Sequence, residues 1–168
     1  MKKHIISVLV ENKSGVLSRI AALFAARGFN IDSLAVGETE NPKVSRMTIV
    51  SEGEENILEQ VVKQLRRLID VISVSDYTKK GLKYVGRELV LVKVDAPASK
   101  RSEIVEIADI FRAKIVDVSL NALAIEITGT SDKIQAFLDL MHDFKIKEIV
   151  RTGKIAIVRE DQKRNNNE

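Results

Sequence analysis

The sequence predicts an α+β protein made of two βαββαβ modules in tandem. Three observations predict it. Apolar runs in the first half alternate between strand and helix spacing in that order, the second half repeats the order, and a charged stretch with two glycines, "TKKGLKYVGR" (78–87), lies between them.

In the first half, Ile5 to Val10 is a continuous apolar run, as expected of a strand covered on both faces or central in a sheet. Val16, Leu17, Ile20, Leu23 and Phe24 recur at helical spacing, and Gly28 stands where a helix-ending glycine belongs. Ile31 to Val36 and Val44 to Val50 read as two strands joined around Asn41-Pro42. Ile57, Leu58, Val61, Val62, Leu65, Leu68 and Ile69 form one helix face, and Val71 to Tyr77 is a fourth strand.

The second half follows suit. Glu88 to Val94 is a strand, and Ile104, Ile107, Ala108 and Phe111 mark a helix face. Ile115 to Ser119 and Leu123 to Thr128 are strands split by Asn121-Ala122. Ile134, Phe137, Leu138 and Met141 give the second helix, with Ser131 as its expected cap and Asp132 in its first turn. "FKIKEIVRTGKIAIVR" closes with strand material broken at Thr152-Gly153. This order is the split βαβ, or ferredoxin-like, module. The boundaries read as 1–78 for the first module, 79–86 for a linker, 87–160 for the second module and 161–168 for a disordered tail.

Composition excludes several functions. Twenty-seven basic residues against 24 acidic ones leave a net charge of only +3, which suits a solvated surface better than a nucleic-acid footprint. The absence of cysteine removes disulfides, thiolate metal sites and a Cys nucleophile. "MKKHIISVLVENKSG" has an apolar run too short to span a membrane and no cleavage site after it, so a cytoplasmic location is expected. The two histidines, His4 and His142, nominate no catalytic base, and no phosphate loop, nucleophile elbow or zinc-protease motif occurs. RNA-binding domains of this topology stack bases on aromatic residues of the sheet. The central strands here offer only Met47, Ile49, Val50, Leu123, Ile125 and Ile127, which argues against RNA.

One segment invites a ligand. Asn12-Lys13-Ser14-Gly15 joins the first strand to the first helix, where free backbone N–H groups and a partial positive charge suit a carboxylate. Gly15 permits close backbone approach, Asn12 offers a donor and an acceptor, and Val16 and Leu17 stand beside an apolar subsite. A small zwitterion with an aliphatic side chain fits these groups. So does a plainer reading, in which Ser14 caps the helix and Gly15 relieves the turn.

"HIISVLVENKSGVLSRIAALFAARGFNIDSL" (4–34) resembles the amino-acid-binding ACT module, and more narrowly the regulatory small subunits of acetolactate synthase. The resemblance continues through "SRMTIV" (45–50), "LEQVVKQLRRLIDVISV" (58–74), "RELVLVKV" (87–94), "IFRAKIVDVS" (110–119), "GTSDKIQAFLDLM" (129–141) and "VRTGKIAIVR" (150–159). It implies a non-catalytic homodimer, paired through its ACT domains, that activates a large catalytic subunit and confers feedback inhibition by valine, leucine or isoleucine. Thiamine diphosphate, magnesium and FAD would belong to that partner, with no cofactor in this chain. It further implies an effector site shared between two chains. Asn12, Lys13, Ser14, Gly15, Val16 and Leu17 would come from one chain, Asn30 and Ile31 from the other. The alternative is a stand-alone ACT-type amino-acid sensor.

Overall fold

A computed structural model describes residues 2–160 of the chain, so the tail expected over 161–168 lies outside the described residues. The chain divides into two compact units. One takes in the chain up to Val85 and again from Lys154, the other Gly86–Gly153.

The first unit runs β1 (Lys2–Glu11), α1 (Val16–Ala25), β2 (Ser33–Glu38), β3 (Val44–Gly53), α2 (Glu55–Leu65) and β4 (Val71–Asp76). Its antiparallel sheet has the order β2-β3-β1-β4, so β1 is interior and β2 is an edge. That position explains why Ile5 to Val10 is apolar except for Ser7, which is itself buried. Ile6, Val8 and Val10 pack under α1 and α2 with Ile20, Phe24, Leu58 and Leu65. Ile5 points to the other face, into a cluster with Val50, Tyr77 and Ala156. Burying each such aliphatic side chain stabilises the fold by roughly 1.5–3 kcal/mol. Ala156 lies on a short late strand (Ile155–Val158), a segment that the sequence reading grouped with the second module.

Two local signals are realised in detail. Gly28 has φ +69°, and the Gly28 and Phe29 N–H groups donate back to Ala25 and Phe24 carbonyls at 3.0 Å each. This paired bonding ends α1 and turns the chain toward β2. The α2 face is shorter than its periodicity suggests. The helix stops at Leu65, and Ile69 is 95% exposed. Two tight turns, Leu68 N–H to Leu65 O and Val71 N–H to Leu68 O, redirect the chain so that β4 can start beside β1.

The second unit repeats the topology with β5 (Tyr84–Asp95), α3 (Arg101–Ile110), β6 (Lys114–Val118), β7 (Ala122–Gly129), α4 (Ser131–Met141) and β8 (Ile146–Arg151), in the order β6-β7-β5-β8. The core joins Val90, Val92, Val94, Ile125, Ile127, Ile134, Phe137 and Met141. Its helix cap differs from expectation: Thr130, not Ser131, accepts the Lys133 N–H, at 3.4 Å. Thr130 keeps an extended backbone at ψ 160°, which the capping position needs, whereas Ser131 is already inside the helix. Among the described residues, no helix is long and apolar enough to cross a membrane.

Candidate functional site

The turn between β1 and α1 is held from outside itself. The Asn12 N–H donates to Lys43 O at 2.8 Å, and its side-chain amide donates to Pro42 O at 2.9 Å and to Glu38 Oε1 at 3.1 Å. The β2–β3 connection therefore fixes Asn12, and both amide hydrogens are used within the chain. Lys13 folds back to the Glu11 carboxylate, whose hydrogen bond and charge raise the Lys13 pKa above the usual lysine value. Its ammonium is thus committed to Glu11.

Gly15 is the first residue before α1 and has φ +82°, ψ −11°, the left-handed region that disfavours a side chain. No side chain caps this helix, and Ser14 is exposed without a cap bond. The amide donors at the helix entrance therefore keep an opening toward solvent, which removes the plain capping reading of Ser14. Val16 is only 3% exposed and belongs to the core, whereas Leu17 is 44% exposed and stands at the turn.

A residue that the sequence reading passed over completes the turn. Arg19 sends Nη2 to the Asp70 carboxylate, while its Nη1 lies 3.2 Å from where a Gly15 Cβ would be. Asp70 is itself buried, and its carbonyl accepts the Glu11 N–H at 2.8 Å. The guanidinium is thereby anchored against the start of α1. The signal was in the spacing: a helical side chain leans toward the turn before it, so position 19 covers position 15.

Asn30 and Ile31 lie elsewhere. They follow the carboxyl end of α1, a helix of 10 residues, which at 1.5 Å per residue puts them roughly 15 Å from the turn along its axis. The Asn30 carbonyl accepts from Ser51 Oγ at 2.7 Å, its amide reaches Asp32 Oδ1 at 3.3 Å, and Ile31 packs partly against the core. One chain therefore brings Asn12, Lys13, Ser14, Gly15, Val16 and Leu17 together and leaves Asn30 and Ile31 at the opposite end of the helix.

Comparison with known proteins gives a consistent picture. A family model for the AHAS small subunit-like ACT domain matches residues 6–73, and one for the small subunit of acetolactate synthase matches residues 87–160. The chain is 57% identical over 161 residues to a probable acetolactate synthase small subunit of Archaeoglobus fulgidus, covering 96% of this chain and 99% of that one. It is 53% identical over 161 residues to the acetolactate synthase small subunit of Aquifex aeolicus, covering 95% and 83%. The crystal structure of the acetolactate synthase small subunit from Thermotoga maritima superposes with a TM-score of 0.85 at 41% identity, covering 95% and 98%.

Proposed function

The chain belongs to the acetolactate synthase small-subunit family, and from that premise we propose that it is a regulatory subunit whose effector is a branched-chain amino acid. The observation that carries this reading is the uncapped entrance of α1 behind Gly15. A carboxylate there meets free amide donors, the helix dipole and the Arg19 guanidinium, while Leu17 offers apolar contact to an aliphatic side chain.

The far position of Asn30 and Ile31 supports a site shared by two copies. β2 is an edge strand with one neighbour, and pairing it with a second copy covers its unpaired backbone groups. In such a homodimer, the start of β2 from one protomer meets the turn of its partner, and Asn30 completes the polar contacts.

The catalytic chemistry, with thiamine diphosphate, magnesium and FAD, is assigned to a large partner subunit. Effector binding changes that partner's activity only through a difference in affinity between two states of the dimer. A coupling of roughly 1–3 kcal/mol corresponds to several-fold to about a hundredfold. Valine, leucine and isoleucine differ in that pocket by about 1–3 kcal/mol or less, so the ranking falls to measurement.

Calorimetry with all twenty amino acids, followed by acetolactate synthase assays of the catalytic subunit with and without this chain, tests the proposal. Saturable binding confined to branched-chain amino acids is expected, together with stimulation by the chain and its loss on adding the effector. No binding of any amino acid to a chain that light scattering shows to be dimeric would overturn the effector assignment.

A further inference from the structure

A separate cavity of about 380 Å³ opens on the face of the first unit's sheet opposite α1 and α2. Its volume is at the low end of the range for small-molecule sites, about 300–1,000 Å³. Ile5 and Val50 form an apolar floor, Tyr77 and Tyr84 a wall with ring centroids 6.0 Å apart, and Lys3 and Lys154 are the charged lining residues. No aspartate or glutamate lines it among the described residues.

Tyr77 distinguishes this cavity from an ordinary surface dent. It is 4% exposed, yet its hydroxyl makes no hydrogen bond with any described residue. The hydroxyl is not sealed from solvent and lines the cavity, so it is free to donate to a ligand there. Lys3 is held only loosely, 3.9 Å from Asp32, and the Lys154 ammonium has no partner among the described residues.

From this lining we infer that the cavity binds a small aliphatic 2-oxo monocarboxylate, at a site separate from the β1–α1 turn. The two ammonium groups suit the carboxylate, the Tyr77 hydroxyl donates to the oxo oxygen beside it, and the Ile5–Val50 floor takes the aliphatic end. An amino acid fits poorly. Its ammonium would face two lysines, and no carboxylate lines the cavity to receive it. The turn prefers a zwitterion and the cavity its deaminated counterpart.

Calorimetry on the full chain with 3-methyl-2-oxobutanoate as probe, and isobutyrate and valine for comparison, tests this. Saturable binding of the 2-oxo acid at one site per chain is expected, and it should survive Gly15→Asp, which separates it from the effector turn. Lys154→Gln should weaken it at least about fivefold without changing valine binding. Tyr77→Phe should weaken the 2-oxo acid but not isobutyrate, which lacks the oxo oxygen. No saturable binding at millimolar concentration would overturn the inference. So would binding that disappears with Gly15→Asp and ignores Lys154→Gln, or equal losses for both probes in Tyr77→Phe. None of those results would touch the amino-acid reading of the turn.

Discussion

Replacing Gly15 by Asp tests the effector turn most directly, and its cost divides into two separable parts. The first is conformational. At φ +82° an L-residue is disfavoured by roughly 1–2 kcal/mol, with Asp at the low end because it tolerates the left-handed region. The new Cβ would come 3.2 Å from Arg19 Nη1, the far end of a flexible side chain that is half exposed, so a small movement relieves the contact. The folded chain should therefore survive, with a Tm lower by several degrees. The second part is electrostatic. A carboxylate at position 15 faces the incoming carboxylate and takes up the Arg19 guanidinium that would otherwise attract it. Two like charges about 4 Å apart repel by about 1 kcal/mol in water and about 4 kcal/mol near a protein surface. Valine binding should thus fall by roughly tenfold to a thousandfold, read by calorimetry. Gly15→Ala supplies the control: it carries at least as much backbone strain without the charge, so it should still retain more binding than Gly15→Asp. Parent-like binding by the Asp variant would reduce the turn to a helix start. Equal losses in Ala and Asp would refute the electrostatic part.

Asn30→Ala should weaken effector binding by roughly 1–3 kcal/mol in the same assay while leaving stimulation of the catalytic subunit intact; an unchanged affinity would remove Asn30 from the site. Thr130→Ala should cost about 0.5–1 kcal/mol in chemical denaturation, and Ser131→Ala clearly less, because Thr130 makes the cap bond to Lys133; the reverse ranking would contradict that assignment. Asp76→Ala should destabilise the chain by about 3 kcal/mol, since the buried carboxylate holds His4 Nδ1 at 2.6 Å and the Lys79 N–H at 3.0 Å; a loss below about 1 kcal/mol would show the pair to be dispensable. The Asp95 pKa is lowered chiefly by its hydrogen bond from Lys147. Its contribution to stability is therefore present above the ordinary Asp value and is lost as pH falls through the lowered one. Lys147→Ala should be slightly less stable than the parent at neutral pH and equal to it in strong acid; a difference that persists in acid would exclude the ion pair as its cause.

The sequence by itself determined what depends on neighbours a few residues apart. Helical spacing located α1, α3 and α4, Gly28 ended α1, and the largely apolar run of β1 announced an interior strand. The repeat of that grammar gave two modules, because each helix needs one sheet face to bury its stripe. The β1–α1 turn was legible for the same reason: its glycine and its helix entrance are local features.

Tertiary structure decided whatever joins distant segments. Asn12 is fixed by Glu38 and Pro42, and Arg19 is anchored by Asp70, through contacts that no local pattern encodes. The end of α2 was set by the need to start β4 beside β1, which overrode the apolar periodicity running on to Ile69. The place of Ala156 beside Ile5, Val50 and Tyr77 came from burial of apolar surface, which is non-directional and leaves no signature in the order of residues.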